Sequence, residues 1–194
     1  MNIQKSFSVS KWIFLTSIGF VLGIVFILLF AAFSETAGID VQFPNAVSMG
    51  LGIGMMQWVI LRKRFENSFK WIWLFIVGLC IPFLLFDILG SFLKLKEWYI
   101  LINWGLGGFL SGYFQYRYYL IYHSDKAKNW VWYSSGAWFS CILISSVFFI
   151  PYIKSLGRTL ELTINMIAIF GCGPILGLIT GFGLISIFGK TKID

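Results

Sequence analysis

Six long apolar runs, joined by short polar segments, limit what this chain can become. They cover residues 12–33, 46–61, 71–90, 99–120, 130–151 and 164–188. A helix that crosses the ~30 Å hydrocarbon layer needs about 20 residues. Five runs meet that length. The second is short and Gly-rich, so it requires shelter from neighbouring helices or a locally thinned bilayer. In hydrocarbon every backbone amide needs a partner within the chain, so runs of this kind fold as helices. No sustained polar–apolar alternation supports a β-barrel. The first run follows Lys5 and Lys11, as a signal peptide would, but it exceeds a usual signal h-region and no small-x-small site follows it. It is expected to remain as a membrane helix.

Composition agrees. The chain is 58% apolar and 12% charged, whereas soluble domains carry about 25% charged residues. Twenty-one Phe and nine Trp exceed what a core of this size can hide, so much of the surface should face lipid. The net charge of +7 does not indicate nucleic acid, because the basic residues sit between apolar runs, as loop charges do in membrane proteins. Lys and Arg are unevenly shared. Lys5, Lys11, Arg62, Lys63, Arg64, Lys70, Arg117, Lys126, Lys128, Lys190 and Lys192 fall on one side, and Lys94, Lys96, Lys154 and Arg158 on the other. The positive-inside rule then puts both termini in the cytoplasm of a cell (inner) membrane protein. The acidic first outer loop, SETAGIDVQFPN, agrees. Trp12, Trp58, Trp71, Trp73, Trp98, Tyr99, Trp130 and Trp132 lie near run ends, where amphipathic rings are expected as interfacial anchors.

One phrase occurs twice. Gly50, Gly54 and Gln57 align with Gly108, Gly112 and Gln115 at an offset of 58, and Asn45 aligns with Asn103. Gly173, Gly177 and Thr180 form a degraded third copy. Each copy lies on an even-numbered run and follows an odd-numbered run rich in bulky residues. The expected fold is an all-α membrane protein: six transmembrane helices arranged as three parallel-repeat helical hairpins (12–64, 71–122 and 130–188) with pseudo-threefold symmetry, in one domain covering 1–194. At ~100° per residue, positions i, i+4 and i+7 share a narrow helix stripe. Glycines there let helix backbones approach and gain dispersion contact in a lipid solvent. The even helices are therefore expected inside and the odd ones outside, with Gln57, Gln115 and Thr180 lining an axis and Asn45 and Asn103 at its mouth.

The pattern G-x-x-x-G-x-x-Q-W-x-x-L followed by basic residues, carried by 50–64, resembles hairpin repeats of uncharacterised bacterial integral membrane proteins, including cyanobacterial ones. Residues 108–120 match with Tyr116 for Trp and Tyr119 for Leu; 173–184 keep only the glycines and Leu184. The resemblance implies membrane location and repetition, and no particular activity.

Few residues invite chemistry. Asp87, in LLFDILG, is the one acid well inside an apolar run, and intramembrane ionisable groups are functional candidates; it could equally pair with Lys94 or Lys96. His123, beside Ser124 and Asp125, reads as a loop histidine, because adjacency in sequence is not a catalytic triad. Arg117 ends the fourth run among tyrosines, as a snorkelling cation or a lipid or anion contact; the Arg62, Lys63, Arg64 cluster could also meet anionic lipid. Cys80, Cys141 and Cys172 read as buried thiols, and no zinc spacing is present. Pro174, within GCGPILG, should kink or break the sixth helix; Pro82 and Pro151 lie within or at the ends of other runs. The reading is a non-enzymatic membrane protein without cofactor or metal, of transport type or complex-forming, in contact with lipid and open to a membrane-protein partner or an oligomer. A structural scaffold without a ligand cavity, or the solute-binding component of a transporter with a partner ATPase, are the alternatives.

Overall fold

A computed structural model describes residues 8–37, 41–90, 99–146 and 157–189. Lys5, Lys94, Lys96, Trp98, Pro151, Lys154, Lys190 and Lys192 lie outside the described residues. Six helices account for nearly all of the rest: α1 Val9–Ala37, α2 Phe43–Leu61, α3 Lys70–Gly90, α4 Tyr99–Tyr118, α5 Asn129–Ser145 and α6 Arg158–Phe188. Two short 3-10 turns, Leu120–Tyr122 and Asp125–Lys128, join α4 to α5. No strand occurs among the described residues. Helices α1, α3 and α6 are long and apolar enough to cross a membrane, which marks the chain as a membrane protein. Polar Asn103, Gln115 and tyrosines dilute α4, and α5 has 17 residues.

The helices pack in cyclic order. Each lies against its sequence neighbours, and α6 closes on α1. The expected separation into inner even and outer odd helices is not what these contacts give; both sets stand in one ring. Helix α2 has no exposed residue, yet α4 and α6 present Leu106, Phe109, Phe170 and Phe182 outward, much as α1 presents Phe14 and Phe33.

Glycine decides the helix spacing, along different edges from those the repeat suggests. Gly50 and Gly54 face Ile76 and Ile72 of α3; Gly108 and Gly112 face Trp138 and Ser134 of α5; Gly173 and Gly177 face Ser17 and Ile13 of α1. Each even helix thus turns its repeat glycines to the next odd helix, not toward the other even helices. A Cβ at Gly50 would come within 3.0 Å of Ile76 Cα, and one at Gly177 within 2.8 Å of Ile13 Cα. A flat glycine face lets a helix of bulky residues bring its backbone close, which a contact between two glycine faces would not require. Within the first two hairpins other small residues do this work. A Cβ at Gly52 would overlap the backbone of Gly19 and Gly23, and one at Gly78 the backbone of Ser111.

Helix ends follow local chemistry. Pro44 lies in the first turn of α2, where its missing N–H removes no helical bond. Gly189, with φ of 83°, stops α6. Pro174 lies inside an uninterrupted α6, so of the expected kink or break the break is absent.

Candidate functional site

Three tryptophans, one from the first turn of each odd helix, meet inside the ring. Trp12, Trp71 and Trp130 are 0–1% exposed. The ring centroids of Trp12 and Trp71 are 6.4 Å apart, edge to face, and those of Trp71 and Trp130 5.2 Å apart. Leu61, Tyr119, Leu120 and Leu184 pack around them. This end also carries Lys11, Lys63, Arg64, Lys126 and Lys128, and is the basic end of the bundle. The expectation of lipid-facing interfacial anchoring fails for these three rings, which the bundle encloses and which gain packing contact and hydrogen-bond acceptors there. Two positions on, Phe14, Trp73 and Trp132 are instead 64%, 56% and 73% exposed.

A buried indole N–H needs an acceptor. Trp71 Nε1 donates to Gln57 Oε1 at 3.0 Å, Trp130 Nε1 to Gln115 Oε1 at 2.8 Å, and Trp12 Nε1 to Thr180 Oγ1 at 3.0 Å. Each acceptor belongs to an even helix and each donor to the next odd helix around the ring. Gln57, Gln115 and Thr180 are therefore level with one another, and each gives an oxygen to an indole N–H. Thr180 passes its own proton to Leu176 O at 2.6 Å. Gln57 Nε2 donates to Thr16 Oγ1 at 3.3 Å. The matching Nε2 of Gln115 has no partner among the described residues. Fifty-nine positions on from Thr16 stands Phe75, buried and without a hydroxyl.

The opposite half of the ring holds a cavity of about 260 Å³. Five helices line it, through residues such as Phe20, Met49, Trp104, Trp138 and Ile169. Trp104 and Trp138 stack at 5.4 Å with a 6° interplanar angle. Among the described residues, Ser145 supplies its one hydroxyl and Cys141 and Cys172 its thiols; all three cysteines of the chain are free and buried.

The remaining candidates are dispersed. Asn103 is buried, and its Nδ2 has no partner among the described residues; Asn45 is half-buried and donates to Gln42 Oε1 at 2.8 Å. Asp87 caps a neighbouring helix. Its carboxylate accepts Gln42 N at 2.9 Å and Phe43 N at 2.8 Å, satisfying amides at the start of α2 that have no helical acceptor. Arg117 is exposed in the last turn of α4. His123 is an exposed ring held against Phe65 at 4.8 Å, with Nδ1 2.8 Å from Tyr119 O. Ser124 Oγ instead bonds Ile187 O, so the three adjacent residues His123, Ser124 and Asp125 do not converge. No group of three or more metal-ligating side chains occurs among the described residues.

The chain matches no protein-family model, no curated protein and no solved structure.

The triad itself has a sequence signal that the glycine repeat overshadows. Trp12, Trp71 and Trp130 are evenly spaced by 59 residues, in KWIFL, KWIWL and NWVWY. The spacing of the odd helices is more regular than that of the even ones, and it marks the residues at the centre.

Proposed function

We propose that this chain is a non-enzymatic, multi-pass protein of a cell inner membrane, acting as a complex-forming subunit whose axis is closed to polar solutes. Its six helices all span the bilayer as three hairpins, 12–64, 71–122 and 130–188, related by a pseudo-threefold axis. The observation that carries this reading is the buried tryptophan triad. A conducting or polar-solute-binding axis would offer Gln57, Gln115 and Thr180 to its cargo. Here those groups hold indole N–H donors at 2.8–3.0 Å. Three bonds of one kind, each linking an even helix to the next odd helix, support the threefold relationship. The cations at the basic end support a cytoplasmic placement of both termini.

The test is flux. Protein reconstituted into vesicles should leave potassium and small polar solute permeability at the protein-free level. Flux above that level from the wild-type chain overturns the closed-axis reading.

The cavity favours a second reading, capture of a small apolar molecule. Ligand sites are usually apolar with a few polar groups and hold about 300 Å³ or more, slightly above the volume here. Saturable binding of 1-aminoanthracene, abolished by Cys172→Trp, supports this reading. Non-saturable partitioning alone dismisses it.

A further inference from the structure

A second cleft, of about 440 Å³, opens at the basic end between the start of α1 and the end of α2. Its polar rim is Lys11, Lys63 and Arg64, with Ser8; its walls include Phe14, Leu15, Val59 and Ile60. The three cations come from two separate elements. They are not simply the Arg62–Arg64 cluster, since Arg62 turns away to lie over the Trp58 ring at 5.0 Å. From this geometry we propose that the cleft is a binding site for one anionic phospholipid, phosphate at the cationic rim and acyl chain along the apolar walls. The proposal rests on the membrane reading above.

Charge and shape both select this occupant. A free phosphate would use the rim and leave the apolar walls wet. A zwitterionic lipid brings its own cation to a rim that already holds three. An acyl chain laid against Phe14, Leu15, Val59 and Ile60 would follow the bundle surface in the direction that a leaflet lipid takes. Arg64 is half-buried here, and desolvation holds its guanidinium below the ordinary value. Its walls come from both α1 and α2, so an occupant would brace the hairpin that starts the ring.

The experiment is lipid-dependent thermal unfolding of the full chain in a neutral detergent, with four additions: short-chain phosphatidylglycerol, short-chain phosphatidylcholine, glycerol phosphate and buffer. Phosphatidylglycerol should raise the unfolding midpoint saturably, while phosphatidylcholine and glycerol phosphate should not. Replacing two cations, Lys11→Gln with Lys63→Gln, should weaken the phosphatidylglycerol response about tenfold or more in half-saturating concentration. Lys126→Gln with Lys128→Gln, at the same end but outside the cleft, should leave it unchanged. An equal loss in both pairs, or none in the cleft pair, overturns the site; so does an equal response to glycerol phosphate. Should the Lys11/Lys63 variant fail to fold, Val59→Trp, which fills the apolar wall and keeps every cation, must weaken the same response, and an unchanged response then overturns the site. Release of the chain from membranes by alkaline carbonate would instead sink the membrane reading, and is scored separately.

Discussion

Trp130 donates its indole proton to Gln115 at 2.8 Å, and both side chains are completely enclosed by the bundle. The bond joins α4 to α5 at a level where Trp71 packs on Trp130 from a third helix. Ring and bond can be separated by substitution. Trp130→Phe keeps most of the aromatic volume and loses the N–H, so it should cost about 0.6–2 kcal/mol, the range for membrane hydrogen bonds. Trp130→Ala also leaves a cavity and should cost about 3–5 kcal/mol. Unfolding titrations in mixed micelles distinguish these values.

The two glutamines should respond unequally to the same change. Among the described residues, Gln57 serves both Trp71 and Thr16, whereas Gln115 serves Trp130 alone and keeps an unpartnered Nε2. Leucine at 57 strands a donor and a hydroxyl; leucine at 115 strands one donor but removes an unsatisfied group. Gln57→Leu should therefore destabilise more than Gln115→Leu, by about 1 kcal/mol. Equal losses in paired unfolding curves would show that the Thr16 contact contributes nothing.

Glycine substitutions should divide by what stands opposite. At Gly78 a new Cβ meets the Ser111 backbone, and backbone cannot move as a side-chain tip can. Gly78→Ala should lower stability by at least the 1–3 kcal/mol typical of overpacking, or prevent assembly. Gly136, in α5, has nothing within 4 Å. There alanine should be neutral or stabilising, up to about 1 kcal/mol from helix propensity. Thermal unfolding of both variants against the parent checks the contrast.

Asp87 should behave as a cap. Removing its carboxylate with Asp87→Leu frees the Gln42 and Phe43 amides and should cost about 0.5–2 kcal/mol, as lost N-caps do. Asp87→Asn retains one acceptor oxygen and should lose less. Amide hydrogen exchange at the start of α2 should quicken in the Leu variant and stay nearly unchanged in the middle of α3.

Much of this architecture was legible in the residues. Long apolar runs locate the helices, with ends off by up to about six positions (α6 starts at Arg158, not 164), because a run of Phe, Ile and Leu has one stable form in hydrocarbon. Gly50, Gly54, Gly108 and Gly112 are recognisable as contact residues because little else explains repeated glycine in a helix. Which helix they touch was not legible, since a glycine edge accepts any close backbone. The role of Asp87 was hidden for a similar reason: its partners are main-chain amides 44 and 45 residues away in sequence, and amides leave no mark in sequence. Trp12, Trp71 and Trp130 are ambiguous by position alone. A tryptophan at a helix end suits an interface as well as a core, and only the regular spacing, read with the exposed aromatics two residues later, separates the two.

The bond from Trp12 to Thr180 spans 168 residues, nearly the whole chain. It fastens α1 to α6, the contact that closes the ring. Without α6, the flanks of α1 and α5 that it covers would stand open, so the ring needs both ends of the described chain.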